Sequence, residues 1–205
     1  MFKTEQEAFW AGDFGNEYIT RNNSNQLLAS NLNFFSIALK RAGKISSCIE
    51  FGANIGMNLK AIQLLYPEIT LKGVEINNNA AKELSSLIGD ENVSNSSIFD
   101  FDSEQNKAEI SLIKGVLIHI NPDNLIDVYQ KLFETSTKYI LIAEYYNPTP
   151  VTIPYRGHNE KLFKRDFAGE MLDLFPTLSL IDYGFCYRKD PTFPQDDISW
   201  FLLQK

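Results

Sequence analysis

The sequence predicts an α/β protein whose core is a mainly parallel β-sheet flanked by helices. Short apolar segments alternate with helix-like periods through the middle of the chain, which is the pattern of βαβ units. Near the carboxyl end, two strand-like runs follow each other with no helix between them, which predicts an antiparallel pair at one edge of the sheet. The 205 residues, 44% of them hydrophobic, suit one domain with a sizeable core.

The elements are predicted in order from periodicity and from residues that end helices. Apolar residues recur at helical spacing from Leu27 to Leu39, and Gly43 ends the run. Prolines at 148, 150 and 154 predict a stiff, non-helical connection. The predicted helices cover residues 24–42, 55–66, 79–88, 122–133 and 166–175, and the predicted strands cover 47–51, 71–76, 93–99, 110–118, 138–146, 179–187 and 198–203.

Composition argues against several classes of protein. The net charge of −7 predicts an acidic surface, which repels a phosphate backbone and so disfavours nucleic-acid binding. No apolar run approaches the ~18 residues of a membrane span, and the first ten residues lack the apolar region of a signal peptide. Cys48 and Cys186 form no disulfide framework, and two scattered histidines complete no zinc site. We therefore expect a cytoplasmic protein with no metal, membrane or nucleic-acid partner.

The loop after the first strand carries the sharpest local signal, Glu50-Phe51-Gly52-Ala53-Asn54-Ile55-Gly56. Open α/β sheets bind ligands at the carboxyl ends of their strands, so this junction is the expected site. Gly52 would let a ligand approach the backbone, and Gly56 would allow close helix packing. Asn54 stands where a dinucleotide-binding loop has its second glycine. Glu50 disfavours a diphosphate but suits the cationic sulfonium and amino groups of S-adenosylmethionine.

Two more acidic residues follow predicted strands. Glu75 ends the second strand, where a carboxylate can accept hydrogen bonds from both ribose hydroxyls, and Ile76 follows it. Asp100 ends the predicted third strand and would accept the exocyclic amine of adenine, with Phe101 beside it. The competing interpretations are a solvated carboxylate for Glu75 and a turn or helix cap for Asp100. Taken together, three acidic strand ends favour a ligand that contains adenosine and no phosphate.

Several segments resemble one bacterial enzyme family. They are FWAGDFGNEYITRN at 9–22, KGVLIHINP at 114–122, AEYYNPTP at 143–150, PYRGH at 154–158 and PQDD at 194–197. These segments are similar to those of the pseudaminic acid biosynthesis-associated methylases, and the likeness spans nearly the whole chain.

The resemblance implies a Rossmann-like class I methyltransferase fold with a seven-stranded sheet and a carboxyl-terminal antiparallel hairpin. It implies one domain over residues 1–205, with an N-terminal helical lid or strap at 1–43 and the core at 44–205. It also implies S-adenosylmethionine as cofactor and a small, anionic, sugar-derived acceptor. Carried over by position, Gly52 and Gly56 shape the cofactor loop, Glu75 holds the ribose and Asp100 holds the adenine. Lys114 is assigned to the cofactor side.

Candidates for the acceptor side follow the fourth and fifth strands. His119 lies just past the fourth strand and could serve as the base that deprotonates a hydroxyl acceptor; the alternative is a structural histidine that caps the next helix. Tyr146 is a second catalytic candidate. Tyr145 and Asn147 would line the acceptor, unless these residues serve ordinary packing.

The next segment is the most basic part of an acidic protein. Tyr155, Arg156 and His158 are predicted to bind a substrate carboxylate or phosphate. A surface patch offset by neighbouring carboxylates is the competing view.

The N-terminal block 9–22 shows no clean period. Trp10, Tyr18 and Arg21 are predicted to close over the cofactor, with Arg21 on its methionine carboxylate. A strap that only covers the sheet edge is the alternative.

Two other functions remain open from the sequence. A nicotinamide-dependent oxidoreductase would share the layout, but the missing glycine and Glu75 disfavour it. A non-catalytic module could retain the cofactor pocket for regulation.

Overall fold

The computed structural model describes residues 2–21, 24–155 and 158–205, without the side chains of 20, 21, 155 and 158–161. It confirms the predicted class, because a mostly parallel seven-stranded sheet lies between two layers of helices. In the described residues the strands are β1 (Ser47–Phe51), β2 (Thr70–Val74), β3 (Val93–Ser94), β4 (Ala108–Lys114), β5 (Ser136–Glu144), β6 (Val151–Tyr155), β7 (His158–Lys164), β8 (Ser179–Cys186) and β9 (Ile198–Gln204).

The described residues form seven α-helices, of which the last five match the five predicted helices, with ends that differ by a few residues. They are α1 (Glu5–Ala11), α2 (Asp13–Arg21), α3 (Asn25–Ala38), α4 (Met57–Leu65), α5 (Asn78–Ile88), α6 (Leu125–Thr135) and α7 (Phe167–Leu174). Polar side chains set several of their starts: Ser24 accepts a hydrogen bond from the Leu27 amide, and Asn77 accepts two from the first turn of α5. None of these helices has the length and apolarity that a bilayer span requires.

The strand order is β3-β2-β1-β4-β5-β9-β8. The first five of these strands pair in parallel, and β9 runs antiparallel to both β5 and β8. The predicted carboxyl-terminal hairpin is therefore confirmed. Because β1, β2, β4 and β5 point the same way, Phe51, Val74, Lys114 and Glu144 end at one edge of the sheet.

Two apolar cores cover the two faces of the sheet. Leu112 and Trp200 point into one core with Phe35 of α3 and Leu59 of α4. The other core joins the opposite face to α6 and α7, through residues such as Ile113, Ile142, Val128 and Met171. Burial on both faces explains why the central strands are nearly continuous apolar runs.

The predicted third strand over residues 93–99 is wrong beyond Ser94. Only Val93 and Ser94 pair with β2, at the outer end of the sheet. The Ser97 hydroxyl then accepts a hydrogen bond from the Phe99 amide, and Ile98–Asp100 forms a 3-10 turn. This serine cap provides the backbone with local hydrogen bonds in place of a longer ladder.

The fourth strand is also shorter than the predicted 110–118. It ends at Lys114, because Gly115 adopts a φ of 69° that breaks the extended backbone. Leu117–His119 then forms a 3-10 turn.

Two regions carried no predicted helix or strand bounds, although the resemblance implied a helical segment at the N-terminus. The N-terminal block forms α1 and α2, and the proline-containing connection forms a separate antiparallel hairpin from β6 and β7. Proline is tolerated at Pro154 because this two-stranded unit consists only of edge strands.

Candidate functional site

A cavity of about 440 Å³ opens at the carboxyl edge of the parallel strands, where the topology predicts a ligand. Its floor is the β1–α4 loop with the ends of β2 and β4. Its walls are the turn at 96–99, the turn at 119–121, the N-terminal helices and part of the β8–β9 connection. These segments come from distant parts of the chain, and only the sheet brings them together.

The β1–α4 loop turns sharply through residues with positive φ. Gly52, Asn54 and Gly56 have φ values of 74°, 49° and 82°. At Gly52, a Cβ atom would lie 2.5 Å from Cγ2 of Val116, so glycine is required there on two grounds. Gly52 and Asn54 line the cavity. Gly56 shapes the turn from behind, where a Cβ atom would meet Leu84 and Leu87 of α5.

Glu75 lines the cavity directly after β2 and is only 7% exposed. Its Oε2 accepts the Asn54 amide at 2.7 Å, and its Oε1 accepts the Asn77 amide at 2.7 Å. Burial raises the pKa of Glu75, and these backbone N–H groups oppose that shift. The carboxyl is thus held in one orientation as an acceptor that faces the cavity. Ile76 lines the cavity beside it.

The N-terminal helices close over the cavity, and Trp10 and Tyr18 line it. The Asn77 side chain donates to the carbonyls of Trp10 and Ala11 at 3.3 and 3.4 Å. On the other side, the Ser97 hydroxyl donates to Glu7, which also completes the capping box of α1. These bonds attach α1 to the loops that follow β2 and β3. Arg21 ends α2, and its side chain lies outside the described part of the structure.

Asp100 and Phe101, both predicted to bind the cofactor, lie away from the cavity, and the predicted cofactor residues Glu50 and Gly56 lie behind its wall. Asp100 is exposed, and its carboxylate forms an ion pair with Lys3 at 2.8 Å. Phe101 is 5% exposed and packs edge-to-face on Phe51, with ring centroids 5.3 Å apart. Neither residue is among those that line the cavity.

Glu50 lies buried beneath the loop, and Lys114 at the end of β4 influences it electrostatically. Glu50 is 0% exposed; its Oε1 accepts the Asn58 amide group at 2.6 Å, and its Oε2 has no hydrogen-bond partner among the described residues. Burial raises the pKa of Glu50 to about 8, although Asn58 and Lys114 counteract it. Burial also lowers the pKa of Lys114, against the attraction of Glu50. Lys114 lines the cavity, whereas Glu50 lies behind it.

His119 lines the cavity at the end of the turn that follows β4, and it is 7% exposed. Its ring centroid lies 4.7 Å from that of Trp10, so it faces the N-terminal helices. Glu144 holds this turn in place: its Oε1 accepts the amides of Val116 and Leu117, both at 2.9 Å. Glu144 was not predicted to contribute to the site, although it is an acidic residue at the end of an apolar strand, as Glu75 is.

Burial raises the pKa of Glu144 to about 7, well above its ordinary value near 4.5. In the folded protein this carboxyl therefore holds its proton more tightly than in the unfolded chain, so its own contribution to stability is complete below pH 4.5 and is lost as the pH rises through about 7. We expect Glu144→Gln, which mimics the protonated form, to reduce the fall in melting temperature between pH 5 and pH 8. Thermal unfolding in matched buffers measures this. The exposed Glu68→Gln should match the wild type, and an unchanged slope in Glu144→Gln would contradict the assignment.

The predicted acceptor residues after β5 point elsewhere. Tyr146 is 42% exposed and packs on Phe201, 6.1 Å between centroids. Tyr145 lies under the Lys164 ammonium, and the Asn147 side chain donates to the Thr149 carbonyl at 2.6 Å. None of the three lines the cavity. Arg156 and the side chains of Tyr155 and His158 lie outside the described residues.

The β8–β9 connection contributes a wall that the sequence analysis did not identify. Arg188, Gln195 and Asp196 line the cavity there. Gln195 is fixed by donating to Asn31 of α3 at 2.8 Å, and Arg188 pairs with Asp197 at 3.6 Å. The resemblance at 194–197 was the only sequence signal for this wall.

No protein-family model matches the sequence, and the comparison with curated proteins found no match. Solved structures do match. A 1,6-didemethyltoxoflavin-N1-methyltransferase from Burkholderia thailandensis, with bound S-adenosylhomocysteine, has a TM-score of 0.75 at 15% identity, covering 98% of this chain and 89% of that one. The magnesium protoporphyrin IX methyltransferase ChlM from Synechocystis, also with S-adenosylhomocysteine, has a TM-score of 0.69 at 10% identity, covering 98% and 100%.

A third likeness is to the mitomycin 7-O-methyltransferase MmcR, with a TM-score of 0.70 at 12% identity. The alignment covers 98% of this chain but spans only 61% of the length of MmcR. Together these structures show that the chain has the class I methyltransferase fold. The neighbours act on unrelated molecules, so the likeness identifies no acceptor.

Proposed function

We propose that the protein is an S-adenosylmethionine-dependent methyltransferase. The observation that carries the proposal is Glu75, a buried carboxylate oriented by two backbone amides on the wall of a cavity in this fold. A carboxylate at this place suits the two ribose hydroxyls of an adenosyl group. The preceding loop lacks the second glycine that a diphosphate needs. Bound S-adenosylhomocysteine in two of the neighbours above supports the same cofactor.

Under this proposal Ile76 and the turn at 96–99 would hold the adenosyl group, and the β1–α4 loop would hold the part that carries the sulfonium. Trp10 and Tyr18 close the cavity, as a lid formed by the N-terminal segment. Asp100 has no part in the proposal, because its carboxylate is paired with Lys3 outside the cavity.

The acceptor that we propose is a small, anionic, sugar-derived molecule such as a nonulosonic acid. Arg188 lines the cavity, where it also pairs with Asp197, and the segment around Arg156 is the most basic part of an acidic sequence. The segments that resemble the pseudaminic acid-associated methylases support the sugar. An acceptor oxygen would attack the methyl carbon as the carbon–sulfur bond breaks, with the electron pair left on sulfur. His119 would take the hydroxyl proton.

Calorimetry tests the cofactor, with S-adenosylmethionine, S-adenosylhomocysteine and NADH as ligands. Binding of both adenosyl compounds without NADH is expected. Binding of NADH alone would replace the proposal with an oxidoreductase.

A second assay tests the acceptor. The protein is incubated with S-adenosylmethionine and a panel of free and nucleotide-activated nonulosonic acids, with neutral hexoses as controls. We expect S-adenosylhomocysteine release and a methylated product only with the acids. Turnover of neutral sugars alone would contradict the anionic acceptor.

Lys114 is proposed to bind the methionine carboxylate of the cofactor, because this basic residue lines the cavity at the carboxyl end of β4. Lys114→Met should weaken S-adenosylhomocysteine binding about 10–150-fold, the effect of losing a hydrogen bond to a charged group. Binding of 5′-methylthioadenosine, which lacks the amino-acid part, should not change.

The exposed Lys60→Met on α4 is the matched control and should bind both ligands normally. An equal loss for both ligands in Lys114→Met would indicate a general disturbance of the cavity. Unchanged affinity for S-adenosylhomocysteine would remove Lys114 from the cofactor site.

A further inference from the structure

Strand β8, at the edge of the sheet, exposes aromatic side chains on the face where polar ones are expected. Gly184 and Cys186 face the side of the sheet that α3 covers, where Gly184 packs on Trp200. The opposite face of β8 is exposed to solvent, where polar side chains are the usual choice. Instead, β8 carries Tyr183 and Phe185 on that face, with exposed fractions of 67% and 61%. Single exposed apolar side chains are ordinary, whereas several large ones on one face indicate an interaction surface.

These side chains belong to one continuous patch, which we call the β8 face. Tyr183 stacks on Phe201 at 6.4 Å between centroids, and Phe201 contacts Tyr146 at 6.1 Å. At the other end Phe185 contacts Tyr187 at 6.3 Å. Tyr183 and Phe185 are two residues apart on the same strand, so their side chains are neighbours. The β8 face comprises Tyr146, Leu180, Tyr183, Phe185, Tyr187 and Phe201.

The surroundings of the β8 face favour a partner that packs on the face over one that adds a strand to the edge of the sheet. The carboxylate of Asp182 accepts the Tyr183 amide at 3.0 Å and so occupies part of the free strand edge. Nearby charges are already paired within the chain, Arg41 with Asp182 and Arg188 with Asp197. The face itself carries no charge, although the chain has a net charge of −7. It therefore suits a partner that is equally apolar and uncharged at the contact.

We propose that a second copy of this chain covers the β8 face, through a two-fold contact between the same residues on each copy. The exposed fractions correspond to roughly 500 Å² per copy, if a whole aromatic side chain offers ~200 Å². Patches above a few hundred Å² mark interaction sites. Two copies together would bury about 1,000 Å², which is where specific interfaces begin. A homodimer that dissociates at micromolar concentrations follows.

Analytical ultracentrifugation over about 1–200 µM protein tests this, since the range brackets a micromolar dissociation constant. The wild type should change from monomer to dimer across it. The double variant Tyr183→Ser/Phe185→Ser should remain monomeric at every concentration, with an unchanged circular dichroism spectrum. The matched control is Leu64→Ser/Ile126→Ser, which removes two residues that are 57% and 63% exposed on other surfaces. It should dimerise like the wild type.

A wild type that stays monomeric throughout would overturn the proposal and leave the face to a different protein. A dimer that persists in the Tyr183→Ser/Phe185→Ser variant would also overturn it, because the contact would then lie elsewhere. If that variant fails to fold, Phe185→Lys is the second test, since charge repulsion across the two-fold contact should abolish the dimer.

Discussion

Replacing His119 with alanine is expected to slow methyl transfer about 10²–10⁴-fold, the usual contribution of a general base. The imidazole is buried on the cavity wall, at the end of a turn that Glu144 holds through two backbone amides. A hydroxyl acceptor must lose its proton as it attacks, and we propose that this ring accepts it. The measurement is S-adenosylhomocysteine release under saturating cofactor, with the acceptor found in the panel.

Two controls separate catalysis from structure. The affinity of His119→Ala for S-adenosylhomocysteine should match that of the wild type, and added imidazole should restore part of the lost rate. Since the ring also contacts Trp10, a variant that loses both affinity and rate would indicate a role in closing the lid. Full activity of His119→Ala would remove the residue from the mechanism.

The second large effect is expected at Glu75. Glu75→Ala should weaken binding of S-adenosylmethionine by about 1.5–3 kcal/mol, the size of hydrogen bonds to a charged group. The same change leaves the amides of Asn54 and Asn77 without their acceptor, so the melting temperature should fall too. Binding is therefore measured by calorimetry at a temperature where circular dichroism shows the variant folded.

A ligand pair makes this prediction specific. The wild type should bind adenosine more tightly than 2′-deoxyadenosine, and Glu75→Ala should lose that preference. Glu68→Ala, at an exposed site before β2, should keep it. If Glu75→Ala still distinguishes the two nucleosides, Glu75 does not contact the ribose.

Local sequence was sufficient for most of the fold. The alternation of strands and helices predicted the parallel sheet, because these signals depend on neighbouring residues. The predicted helix over 24–42 ends earlier, at Ala38, before Gly43 is reached. The prediction of strand ends was wrong where short-range hydrogen bonds or backbone conformation compete with strand pairing. At Ser97 a side-chain cap replaces the end of a strand, and at Gly115 a positive φ ends β4 early. Such endings depend on one or two residues and leave little trace in a periodic pattern.

Position along the chain was enough to identify the ligand edge of the sheet and some of the residues that lie on it. Gly52 and Glu75 were predicted there and do line the cavity, because a residue directly after a parallel strand lies at that edge wherever the strand pairs. His119 also lines it, although β4 ends at Lys114 and a turn leads from the strand to this residue. The tertiary structure decided which side chains turn inward. Tyr146 follows β5 closely, yet it packs on Phe201 of the neighbouring strand β9 and does not line the cavity. Arg188 comes from a remote strand pair, and only the long-range order of the sheet brings it to the cavity.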